Sequence, residues 1–222
     1  MRAFLNDPAM NWWGCIKREN EVMECNSPSP AMVQTMEHLL NFQRCFVKVT
    51  MLVGGVVTLA VLPSSDGKEE RIVTVSIWLK PGQTFDLPLT TLLRWEPGPL
   101  PWVGRLFVDF TPHVEDTLLK AHEARNLDCL DSWHFLGVVV DPDWQGKGMS
   151  SLLMKEGFAR TSLKSAHLEA TTMKNRDIYA HFGFEIDEEH LFGKGQVNRK
   201  GLAAKGAAAT GYPEWVMTKW ET

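Results

Sequence analysis

"DPDWQGKGMSSLLM", Asp141 to Met154, follows directly on the apolar run Phe135 to Val140, and its reading decides the fold. A β-rich run feeding a glycine loop that opens a helix is a strand-to-helix junction, the place where several protein classes seat a phosphate. A P-loop requires Gly, four residues, then Gly-Lys-Ser/Thr, but Asp141 stands five before Gly146 and Gly148 follows Lys147. A dinucleotide loop requires a third glycine three after Gly148, where Ser151 stands. What remains is the hexapeptide Gln145-Gly146-Lys147-Gly148-Met149-Ser150. Its glycines carry no side chain to keep a phosphate from the backbone, and the unpaired N–H groups of a helix start carry the positive end of the helix dipole. A plain strand-to-helix turn would use the same glycines for backbone freedom alone.

The flanks extend the pattern. Strand Trp133 to Val140, the loop, a helix to about Leu163, strand His167 to Thr171, helix Arg176 to Phe182 and strand Phe184 to Asp187 give a β-α-β-α-β order. Gly183 sits where a left-handed helix C-cap is wanted. From Phe192 to Gly211 the chain is rich in Gly and Ala and carries Lys194, Arg199, Lys200 and Lys205 with no acid, then "PEWVMTKW" supplies a last strand. Within this basic segment, 192–211, the loop Lys194 to Lys205 offers little to bury, and the expectation is a mobile loop that folding can do without. Upstream, Asp7 followed by Pro8 caps a short helix, and Pro30 to about Met51 reads as a long one. Val56 to Leu62 and Arg71 to Leu79 form a hairpin turned at Asp66-Gly67, and "PHVEDTLLKAHEAR" is an amphipathic helix.

The composition narrows the function classes. A chain of 222 residues, 44% hydrophobic, builds a real core, and no apolar run reaches the roughly 20 residues of a membrane helix. The start lacks a signal-type segment, so a cytoplasmic location is expected. Cys15, Cys25, Cys45 and Cys129 are scattered and without nearby histidine, as buried free thiols would be, and no metal is expected. Net charge −4 supplies no field for nucleic acid and suits a neutral or cationic small partner.

The hexapeptide Gln145 to Ser150 resembles the pyrophosphate loop of the GNAT superfamily of N-acetyltransferases, which bind acetyl-CoA; Ser150 replaces the usual Gly or Ala. Downstream, "LEATTMKNRDIYAHFGFE" (Leu168 to Glu185) resembles the family's next segment, a strand, an Asn, a short helix with Tyr, then Gly-Phe. Upstream, "AFLNDPAMNWW" (Ala3 to Trp13) is similar to its first helix, and "VSIWLKPG" (Val75 to Gly82) to a strand of its small-molecule members.

The resemblance implies one α/β (α+β) domain over 1–222, with a GNAT-like mixed, mostly antiparallel sheet whose central parallel strands splay, flanked by helices. It implies acetyl-CoA as acyl donor, bound by Gln145, Gly146, Lys147, Gly148, Met149 and Ser150. The pantetheine arm would pair with the backbone of Val138, Val139 and Val140, and Asn175 would add a polar contact. Asn175 would serve equally as the cap of the helix Arg176 to Phe182, and Lys147 as a solvated loop lysine. Tyr179 matches the family's leaving-group tyrosine, a proton donor to the thiolate. Two tyrosines against eleven Phe and nine Trp argue against a ring chosen only for bulk.

Family members often place an acid on the strand before the loop, but "WHFLGVVV" has none. His134 is its titratable side chain, with Asp131 or water as other bases. Trp12, Trp13, Trp78 and Trp133 are candidates for lining an acceptor pocket. The expected partner is a small-molecule primary amine, with neither nucleic acid nor membrane, in a monomer or homodimer. A protein-lysine acetyltransferase and a non-catalytic CoA-binding sensor are the other readings.

Overall fold

The computed structural model describes residues 4, 7–14, 16, 30–63, 70–85, 104–162 and 164–221, with the side chains of 30–36 excepted. The Asp66-Gly67 turn, Asp7's neighbour Asn6, and Cys15 and Cys25 lie outside the described residues.

Helix α1, Pro8–Trp13, opens as the sequence dictates: Asp7 is its N-cap, its carboxylate accepts the Met10 N–H at 3.1 Å, and Pro8 stands in the first turn. Helix α2 spans Pro30–Leu52, and β1 (Val56–Pro63) and β2 (Glu70–Leu79) pair antiparallel. A π-helical turn, Arg105–Phe110, runs straight into α3, Thr111–Glu123. Then come β3 (Trp133–Val140), α4 (Met149–Thr161), β4 (Ala166–Ala170), α5 (Met173–His181), β5 (Glu185–Phe192) and β6 (Tyr212–Lys219). The six strands form one sheet in the order β1-β2-β3-β4-β6-β5, antiparallel except for the central pair β3/β4.

Alternation along the strands gives the sheet two buried faces. Val216 joins Trp12, Trp13, Phe42, Phe110, Val114 and Leu118 on the side of α1, α2 and α3. Its neighbours Trp215 and Met217 join Trp78, Phe135, Met154 and Leu168 on the side of α4 and α5. Gly157 lets α4 lie on Trp78, since a Cβ there would come within 2.4 Å of the indole ring.

Segment 193–211 corrects an expectation. Val197 and Leu202 are buried, Asn11 Nδ2 donates to the Lys200 carbonyl at 2.8 Å, and Ala203 N–H donates to the Ile16 carbonyl at 3.1 Å. Gly201, at φ +70°, rests on the Pro8 carbonyl. Its glycines supply close approach rather than looseness, and the segment packs α1 onto the sheet. Among the described residues no helix is long and apolar enough to cross a membrane, and no group of His, Cys, Asp and Glu has the spacing of a metal site. Cys45 and Cys129 are free thiols.

Candidate active site

The site is built where β3 and β4 part. They pair only at Trp133↔Ala166 and His134↔His167. Beyond that point β3 stays with β2, β4 stays with β6, and a cleft opens between their carboxyl ends. A register shift opposite Ile77/Trp78 leaves Leu136 unpaired beside Gly137, and such a bulge bends a strand. Of the three valines, Val139 turns away: its carbonyl accepts the Thr74 hydroxyl at 2.8 Å on the β2 side, where the Asp141 N–H likewise donates to the Val73 carbonyl. By alternation the backbone groups of Val138 and Val140 face the cleft.

The cleft ends at the glycine loop. Asp141 caps a single 3₁₀ turn, Pro142–Trp144, by accepting the Asp143 N–H at 3.0 Å. Gln145 is extended, and Gly146 and Gly148 follow at φ +74° and +77°, a conformation that side chains disfavour. A Cβ on either glycine would meet no atom of the described residues within 4 Å. Gly148 is the N-cap of α4 and brings no side-chain acceptor. The N–H groups of Met149 and Ser150 therefore stand in a first turn without a cap, the arrangement that accepts an anion. Lys147 folds back: Nζ donates to the Asp143 carbonyl at 3.1 Å and sits 4.2 Å from the Trp144 ring centroid.

Tyr179 projects from α5 into the core beneath the cleft, edge-on to Phe135 and Phe184. Burial holds its phenol above the ordinary range, and the charges of Asp7 and Glu169 push it further the same way. Asn175 is not the helix cap. Thr172 is, and its hydroxyl accepts the Asn175 N–H at 3.1 Å, because the helix starts at Met173 rather than at Arg176.

His134 is brought to the apex of the cleft, where its Nε2 lies 3.0 Å from Oε2 of Glu169 on the neighbouring strand. Its ring stacks on His167, centroids 4.4 Å apart. His167 is buried, with Nδ1 3.1 Å from the Ser132 hydroxyl, and burial holds its pKa well below the ordinary value; His134 and His122 add to the drop. Asp131 is exposed in the turn before β3, at the strand end opposite the cleft mouth.

Asp7 accepts the Thr171 hydroxyl at 2.5 Å, and burial raises its pKa. Glu214, fully buried, accepts the Tyr212 hydroxyl at 3.2 Å; burial raises its pKa strongly, with the charges of Glu169 and Asp7 adding to the rise. Sequence reasoning missed Glu169 and gave Asp7 only its capping role, since neither lies in the glycine-loop motif. The four tryptophans form no single pocket: Trp12 and Trp13 pack on one face of the sheet, Trp78 and Trp133 on the other.

Residues 116–186 match the model of the acetyltransferase (GNAT) domain. No curated protein matches the chain. Among solved structures, the fold is similar to arylalkylamine N-acetyltransferase 2 from Aedes aegypti, at 15% identity and a TM-score of 0.52, covering 98% of this chain and 89% of that one. A second protein of the yellow fever mosquito, carrying the name arylalkylamine N-acetyltransferase 7, aligns at 14% identity with a TM-score of 0.55, covering 98% and 78%.

Proposed function

We propose that this chain, which carries an acetyltransferase domain of the GNAT superfamily, moves an acetyl group from acetyl-CoA to a primary amine of a small molecule by direct attack in a ternary complex. The observation that carries the proposal is the cleft between β3 and β4 leading to the bare N-terminus of α4, with open space before Gly146 and Gly148.

The donor supplies an activated thioester carbonyl and a thiolate leaving group. The backbone from Gln145 to Ser150 holds its pyrophosphate, with Lys147 free to add a charge by leaving Trp144. Val138 and Val140 offer backbone partners to its amide arm, and Asn175 lies on α5, the helix that carries Tyr179. Tyr179 stays protonated near neutrality and carries the proton that a departing thiolate needs. Glu169 accepts the Nε2–H of His134, which leaves Nδ1 as the basic nitrogen to take a proton from the incoming ammonium. The carboxylates of Asp7 and Glu169 favour a cation, in keeping with an amine acceptor. The likeness of fold to an arylalkylamine N-acetyltransferase supports a small acceptor.

The test is an acetyl-CoA turnover screen over a panel of small amines and lysine peptides, read by release of free thiol. Thiol release with a small amine is expected. Turnover with peptides alone would make the chain a protein-lysine acetyltransferase, and CoA binding without any turnover would make it a sensor.

A further inference from the structure

The second rung between β3 and β4, His134↔His167, is the last before the strands part. Residues paired across a sheet share a face, so the two imidazoles meet at the apex of the cleft, centroids 4.4 Å apart and planes 35° from parallel. Glu169, two residues further along β4 and on that same face, holds Nε2 of His134 at 3.0 Å. One hydrogen bond fixes an edge of the ring and leaves it free to tilt about that contact. The flat neighbour on its face removes the freedom.

His167 is itself fixed. It is buried, its Nδ1 lies 3.1 Å from the hydroxyl of buried Ser132, and the His122 ring of α3 meets it edge-on with centroids 6.3 Å apart. His122 is tied to its own helix: a carbonyl can only accept, so Nδ1 carries the hydrogen donated to the Leu118 carbonyl at 2.8 Å. Three imidazoles thus run from α3 to the cleft, and the one at the open end has the carboxylate. Burial, with His134 and His122 as neighbours, keeps His167 neutral near neutrality. A proton taken up by His134 then stays there, a cation against an aromatic face.

We propose that His167 is a positioning residue for the base: anchored by Ser132, its stacked ring holds His134 in the plane in which Nε2 meets Glu169 and Nδ1 is left for the acceptor amine. The inference rests on the reading of His134 as that base.

The experiment joins heteronuclear imidazole spectra of the full chain with steady-state kinetics on the amine that the screen finds, for the parent, His167→Phe, His167→Leu, Ser132→Ala and His134→Gln. His134→Gln identifies the His134 signals and tests the base. The parent should show His134 in one form, with its hydrogen on Nε2. His167→Phe keeps a flat ring on that face, and it should keep this form and hold kcat within about twofold. His167→Leu keeps bulk but offers no plane: its His134 should exchange between the two tautomers, with kcat lowered on the order of tenfold. Donor KM and CoA affinity should stay put, since the glycine loop lies at the other end of the cleft. Ser132→Ala frees the His167 ring and should move both readouts the same way by less; it decides the matter if His167→Leu does not fold, and an unmoved Ser132→Ala then overturns the inference. A single His134 tautomer with unchanged kcat in His167→Leu overturns it too, as does an equal loss in His167→Phe. Unchanged kcat in His134→Gln is a different failure, that of the base reading, and the spectra alone then report whether His167 sets the His134 ring.

Discussion

The carboxylate of Asp7 accepts the hydroxyl of Thr171 at 2.5 Å across 164 residues of chain. The contact joins the cap of α1 to the end of β4, one residue before the cap of α5, and it sets a buried acid beside the buried phenol of Tyr179.

Asp7→Asn separates the cap from the charge. Asn caps helices as well as Asp does through its Oδ1, and its Nδ2 can then donate to the Thr171 hydroxyl. Burial raises the Asp7 pKa, so the charged form costs stability once the pH passes the ordinary carboxylate range. The melting temperature at neutral pH should therefore hold or rise in Asp7→Asn, while Asp7→Ala loses about 1 kcal/mol with the cap. Burial raises the pKa of both tyrosines of the chain, Tyr179 and Tyr212, and the charge of Asp7 adds to the rise. Spectrophotometric titration of Asp7→Asn should show tyrosinate forming at lower pH than in the parent.

Tyr179→Phe keeps the ring packed on Phe135 and Phe184 and removes the hydroxyl alone. A lost general acid lowers kcat by about 10²–10⁴-fold, toward the lower end where water substitutes, with CoA affinity nearly kept. Steady-state kinetics on the amine found by the screen checks this. An unchanged kcat, with chemistry limiting turnover, would leave Tyr179 as a packing residue.

His167 makes the fold sensitive to acid. Its folded pKa is depressed by burial and by His134 and His122, so the unfolded chain takes up a proton below about pH 6.5 where the folded one does not. The stability is complete above that value and is lost as the pH falls. Asp7, Asp187 and Glu214, with raised pKa values, act in the opposite direction. Comparing His167→Asn with the parent in urea melts from pH 7 to pH 5 isolates the histidine: the parent should lose stability more steeply than the variant.

Gly201→Ala should be severe for a surface-segment change. A Cβ would come within 1.9 Å of the Pro8 carbonyl oxygen, and φ is +70°. Strain and overpacking together suggest a loss of about 2–4 kcal/mol, read as a fall in the urea midpoint with unchanged slope.

The regular second half was legible because its signals are local. An apolar β-branched run, a glycine pair and a helix start lie within 22 residues at β3 to α4, and the sequence placed the bounds of β3 where the structure has them. Strand β5 was read too short because "EIDEEHLF" is an exposed edge strand; only Phe192 is buried, so no alternation announces it. Glu169 escaped notice because its partner, His134, lies 35 residues earlier, and the parallel register alone brings them together. Segment 193–211 misled because small residues serve looseness and tight packing alike, and only the docking of Pro8 on Gly201 distinguishes the two.

That docking bears on how the molecule is made. Asn11 and Lys200 are joined across 189 residues, and α1, which brings Asp7, finds its seat only when 193–211 is in place. On the ribosome α1 must wait until 193–211 has been made, and closing so large a loop is slow. A nascent chain halted before residue 200 holds the glycine loop and Tyr179 yet lacks the seat for α1 and its cap Asp7. Until that seat forms, Trp12 and Trp13 are exposed to chaperones.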